Sequence, residues 1–191
     1  MPELTETGLL PAEHRALREL HAMARELRGH WSKLAERLAQ PVLADGAQAA
    51  TELLIELEGR VDLSGRPTAQ FAGARLAGAR GLSDLLLERN QALRSALLDI
   101  QHVVTLLDYL AALAAARGDA DLEAWHIGWR DRLHAVEERG RAAVLAMAAD
   151  PERAIDPADD GTLGHAGAKI GVALGSVGEM IDNRLARRRS T

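Results

Sequence analysis

Apolar residues recur along this chain at alternating spacings of three and four, and nowhere in the alternating, β-branched pattern of a strand. The fold class this predicts is all-α, an elongated antiparallel helical bundle of about five helices. The first run, Leu17, Leu20, Ala24, Leu27, Trp31, Leu34 and Leu38, is the seam of a helix packed on other helices. Pro11 suits its first turn, and Pro41 is expected to stop it near Gln40. A shorter helix over about 46–62 presents Ala50, Leu54, Leu57 and Val61, with Glu56 one turn before Arg60, and ends at Ser64-Gly65-Arg66-Pro67. Residues 68–80, in which Ala-Gly-Ala-Arg occurs twice, read as weak helix.

Ser83 is an N-cap for a long helix that runs to Arg117, where Gly118 ends it. Its seam of Leu86, Asn90, Leu93, Leu97, Ile100, Val104, Leu107, Ala111 and Ala114 is widened by Ala96, Val103, Leu106, Leu110 and Leu113. So wide an apolar arc predicts a central helix with several neighbours. It would span roughly 50 Å, against a radius of gyration of about 16 Å for a compact chain of this length, so the molecule should be elongated. Asp119 or Asp121 opens the next helix, with Leu122, Trp125, Trp129, Leu133, Val136, Gly140, Ala143 and Met147 on one face until Asp150-Pro151. The tight link at Gly118 folds it back antiparallel. The expected organisation is a flexible N-terminus (1–10), a helical bundle core (11–149), an acidic, proline-containing linker (150–162) and a glycine-striped C-terminal helix with a basic end (163–191).

Composition removes several kinds of chemistry. The 191 residues include 28 acidic against 23 basic side chains, a net charge of −5 that argues against a nucleic-acid partner. The absence of cysteine excludes disulfides, thiolate metal sites and cysteine nucleophiles. Residues 1–10 carry no basic start and no useful apolar stretch, and no apolar run approaches the roughly 20 residues needed to cross a bilayer; the expected compartment is the cytoplasm. Gly175-Ser176-Val177-Gly178 lacks the residue a nucleophile elbow places between glycine and serine, and no phosphate-binding glycine loop or dinucleotide fingerprint occurs. No catalytic residue, no enzymatic activity and no cofactor is expected. Trp31, Trp125 and Trp129 occupy seam positions and read as core, each indole N–H needing a partner. His14, His21 and His30 lie on the flanks of the first helix as partly exposed residues.

Three carboxylate–histidine pairs share helical spacing: Asp99 with His102, Glu123 with His126, and Asp131 with His134. A Glu-x-x-His pair on each of two helices, joined by a glutamate from each of two others, is how di-iron bundles hold metal. Residues facing each other across the Gly118 turn sum to about 236, which puts His102 and His134 in one layer and leaves Glu123 and His126 elsewhere. Asp99, His102, Asp131 and His134 are therefore the only metal candidates. All four are expected to point away from the core, as surface carboxylates and histidines.

The feature that breaks local rules is the last helix, where Gly164, Gly167, Gly171, Gly175 and Gly178 fall on one side, beside Ile170, Leu174, Val177 and Ile181. Five glycines cost a helix about 4–5 kcal/mol relative to alanine, so something must pack closely on that groove. Small residues at this spacing let two backbones approach. The groove seats within the same chain, against a second subunit or partner helix, or at a membrane surface with help from Arg184, Arg187, Arg188 and Arg189. The leading expectation is a non-enzymatic module that binds protein, itself first as a homo-oligomer. A carboxylate/histidine bundle for a metal or small ligand is one alternative, and membrane-surface association through the C-terminal helix the other.

Overall fold

A computed structural model of the chain describes residues 9–60 and 87–158. Among them run α1 (Pro11–Leu38), α2 (Pro41–Arg60), α3 (Arg89–Arg117) and α4 (Ala120–Ala146), then a 3-10 turn (Met147–Ala149) and the one-turn helix α5 (Pro151–Ala154). The fold is all-α. α1 packs on α2 and α3, and α4 packs on α3 and α2, so the four long helices form a ring in the order α1, α2, α4, α3. Every packed neighbour is antiparallel. Arg117 at the end of α3 donates to Glu13 at the start of α1 (3.0 Å), while Arg89 at the start of α3 donates to the Leu38 carbonyl at the end of α1 (2.9 Å). On the other side Arg139 meets Asp45 and Arg132 meets Glu52, again in opposite directions along α4 and α2. The bundle is thus two helical hairpins, one joined by Ala39-Gln40 and the other by Gly118-Asp119. α2 ends and α3 begins at opposite ends of the bundle.

The seam residues of α1 are all buried, as are Ala50, Leu54 and Leu57 of α2 and nearly the whole double seam of α3. Close approach is bought at two glycines. The Cε3 and Cζ3 atoms of Trp31 crowd Gly46, and Leu97 of α3 sits on Gly140 of α4; a Cβ at either position would fall 2.2 Å and 2.7 Å, respectively, from the facing side chain. The Leu97–Gly140 contact also confirms the register expected from the Gly118 turn. Asp119 caps α4 by accepting from the Leu122 N–H at 3.0 Å.

Several boundaries differ from those the sequence predicts. Pro41 does not merely stop α1: it opens α2, whose first turn buries Val42 and Leu43, because a proline at the first helical position has no intrahelical N–H to lose. α3 begins at Arg89 rather than Ser83. Glu88 is extended (ψ 156°), and 87–88 pair with the chain after α5, Arg89 N–H donating to the Asp156 carbonyl (2.9 Å) and Ala158 N–H to that of Leu87 (3.0 Å). The described helix is therefore about 43 Å long. That pairing also draws part of the expected 150–162 linker into the fold, with α5 inside it and Ala158 in the core. Leu9, placed in the expected N-terminal tail, is likewise a core residue. The weak helix over 68–80 and the glycine-striped helix lie outside the described residues.

Ala39 closes α1 in the left-handed region (φ 52°, ψ 39°), donating its N–H to Ala35. L-residues are strained there and glycine is not. Ala39→Gly is expected to stabilise the fold by about 1 kcal/mol, read as a higher denaturation midpoint at unchanged denaturant slope.

Candidate functional site

The structure separates the carboxylate–histidine pairs rather than assembling them. Asp99 does not point outward: it is buried, and its Oδ2 lies 2.5 Å from His30 Nδ1 on α1. His102, one turn on, is exposed and meets Glu19 of α1 at 3.2 Å. Asp131 is exposed beside Arg130, and His134 is exposed beside Glu137 and Glu138 of its own helix. Among the described residues no group of three or more His, Asp or Glu side chains is placed to hold a metal ion. Of the interaction residues expected from sequence, Gly164, Gly167, Ile170, Gly171, Leu174, Gly175, Val177, Gly178 and Ile181 lie outside the described residues.

The tryptophans are core, and their N–H groups find partners. Trp31 is sealed and donates to the Ala96 carbonyl of α3 at 3.1 Å. Trp125 and Trp129, one turn apart on α4, both donate to Glu56 Oε2 on α2, at 2.8 Å and 2.9 Å. Glu56 thus joins α2 to α4, where the sequence placed it simply beside Arg60. The two indole donors, helped by the charges of Arg60 and Arg132, hold its carboxyl below the usual glutamate range, against the opposing effect of burial. Arg60 and Arg132 lie over the Trp125 and Trp129 rings, 5.3 Å and 4.8 Å from their centroids. Glu56→Ala leaves both indoles without their carboxylate and is expected to cost about 1 kcal/mol, seen as an earlier midpoint when unfolding is followed by tryptophan fluorescence.

Glu13 and His126 are buried polar groups that sequence reasoning missed. Glu13 is fully buried, accepting from Leu10 N–H (3.2 Å) and from Arg117, which also bonds Asp119 (2.9 Å). One network thereby ties together the start of α1, the end of α3 and the start of α4. His126 of α4 is fully buried, edge-on to Trp125, with no hydrogen-bond partner of good geometry at either ring nitrogen. Burial pushes its pKa down to about 4, with the Arg60 charge acting the same way and the Leu122 carbonyl and Asp119 opposing. Periodicity could have flagged both, since each falls within a turn of seam residues, but its partners come from distant segments.

Two surface features remain. Along the outer face of α3, Leu98, Tyr109, Ala112 and Ala116 are exposed together with Arg94, Gln101, His102, Thr105 and Asp108. α3 is by length and hydropathy apolar enough to cross a membrane, unlike any run expected from sequence, but most of that stretch is packed inside the bundle, as in the core helix of a globular protein. At the opposite end from the Gly118 turn, a cleft of about 400 Å³ opens where α1 and α4 end and α3 begins, between Leu38, Arg89, Ala146, Met147 and Arg153.

These features define a class by architecture: an all-α protein whose four long described helices form an antiparallel bundle with a cleft at one end. Comparison with known proteins finds no matching family model, no matching curated protein and no matching solved structure.

Proposed function

We propose that this chain is a non-enzymatic helical-bundle module for protein–protein interaction and assembly, working in the cytoplasm, whose first partner is a second copy of itself. The observation that supports this reading is the outer face of α3. Leu98 and Tyr109 are 63% and 49% exposed on one strip with Ala112 and Ala116, whereas the outer face of α1 carries Arg15, Glu19, Arg25, Arg28, Lys33 and Glu36. Leu98 and Tyr109 stand among exposed Arg94, Gln101, His102 and Asp108, large apolar side chains on an otherwise polar face that a partner would cover. The glycines at 164, 167, 171, 175 and 178, which by helical spacing would lie on one side beside Ile170, Leu174, Val177 and Ile181, would supply an edge of the complementary kind, small enough for a second backbone to approach.

Size exclusion coupled to light scattering tests the reading. The wild-type chain is expected at a multiple of its 20.5 kDa. Leu98→Glu with Tyr109→Glu, and separately Gly171→Leu with Gly175→Leu, should shift it toward the monomer while helicity is retained. A wild-type monomer at the highest attainable concentration would defeat self-association, and variants that assemble like wild type would defeat the surface.

A further inference from the structure

We infer that the end cleft binds a small aliphatic carboxylate, with its head on Arg89 and its tail along Ala143, Ala146 and Met147. This goes beyond the assembly reading and does not depend on it. The argument begins with Arg89, which is 9% exposed. Arginine is almost never buried unless an anion accompanies it. Here the guanidinium donates through Nη2 to the Leu38 carbonyl at 2.9 Å, and no carboxylate of a described residue is within ion-pair distance. The carbonyl end of α1 accounts for one of its five donors. None of its nitrogens is recorded as both sealed and unbonded, and Arg89 is one of the residues that line the cleft.

The rest of the lining narrows the ligand. Arg153 brings a second cation and Asp150 a carboxylate, whose Oδ1 already accepts from the Arg153 backbone N–H at 3.2 Å. The formal balance of the three side chains is one positive charge, which suits a monoanion better than a dianion such as phosphate. The remaining wall is largely alanine, leucine and methionine, a surface for methylenes and not for a sugar or a base. A volume of about 400 Å³ lies at the small end of ligand pockets.

Titration calorimetry on the full chain with octanoate tests this, with octanol supplying the tail without the charge and inorganic phosphate the charge without the tail. Octanoate is expected to bind saturably at one site, with octanol and phosphate at least about tenfold weaker, the range a charge-assisted hydrogen bond contributes. Arg89→Met should weaken octanoate by about tenfold or more. Because that change also removes the contact to Leu38, Ala146→Trp at an exposed position provides a second variant that fills the cleft from the opposite wall and should abolish binding in a folded protein. No saturable heat with octanoate, phosphate binding as tightly as octanoate, or octanoate binding unchanged in Ala146→Trp would each overturn the assignment.

Discussion

Gly46→Ala is expected to destabilise this protein by about 3 kcal/mol, the upper end of what one added methyl does in a packed core. For a domain of this size that lowers the melting temperature by about 6–12 °C. The new Cβ would stand 2.2 Å from Cε3 and 2.3 Å from Cζ3 of Trp31, far inside van der Waals contact. The ring has nowhere to go. It is sealed against solvent and its N–H is bonded to the Ala96 carbonyl on α3, so any retreat breaks that bond or separates α1 from α2. A double-mutant cycle isolates the contact: Trp31→Leu alone should cost about 3–5 kcal/mol through the cavity it leaves, whereas Trp31→Leu with Gly46→Ala should cost clearly less than the sum. Additive losses would show that the indole and the glycine do not meet as described. Gly140→Ala should be milder, because the atom it meets is a terminal methyl of Leu97.

Acid should expose the buried imidazole of His126. Its pKa lies at about 4 in the fold, against 6.5 for the free side chain, so between those values the unfolded chain binds a proton that the folded one refuses. The sign follows: stability is complete above about pH 6.5 and falls as pH drops toward 4, by about 3 kcal/mol in total from this group. Below that the folded form protonates too and the slope levels off. Carboxylates such as Glu56 and Glu52, held below their ordinary range by the indoles and by Gln48 and Arg132, act only below about pH 4.5, so the windows separate. Chemical denaturation of wild type and His126→Leu from pH 7.5 to 4.5 provides the check. The variant should lose most of the slope between pH 6.5 and 4.5 and be at least as stable as wild type at the acid end. Parallel pH profiles would show that His126 does not carry the effect.

Much of this bundle was legible in the chain because helical packing is written locally. A buried stripe recurs every 3.6 residues wherever the partner is, so Leu17 through Leu38, the double seam of α3 and the α4 face could be named without knowing what covers them. The turn at Gly118 and the cap at Asp119 were legible for the same reason, since both depend on neighbouring backbone alone. The failures share the opposite property. Gly46 reads as a boundary but lies inside α2, because the element that needs its missing side chain is Trp31 on another helix. Ser83 reads as an N-cap, yet α3 starts six residues later because 87–89 pair with backbone of residues 156–158. Asp99 reads as a surface carboxylate because its own helix leaves it off the seam, and it is buried because His30 on α1 comes to meet it.

The sequence by itself determined that this protein is a helical bundle, where the Gly118 hairpin turns and which face of each long helix is apolar, because those properties follow from the period of the chain and from capping chemistry within a few residues. Only the tertiary structure decided which polar groups are buried and which distant groups meet: Glu13 is buried with Arg117, Asp99 with His30 and His126 with no good partner, while Glu56 near the surface takes both tryptophan N–H groups. Those pairings join residues far apart in the chain, and their energies depend on burial and distances that no local spacing encodes.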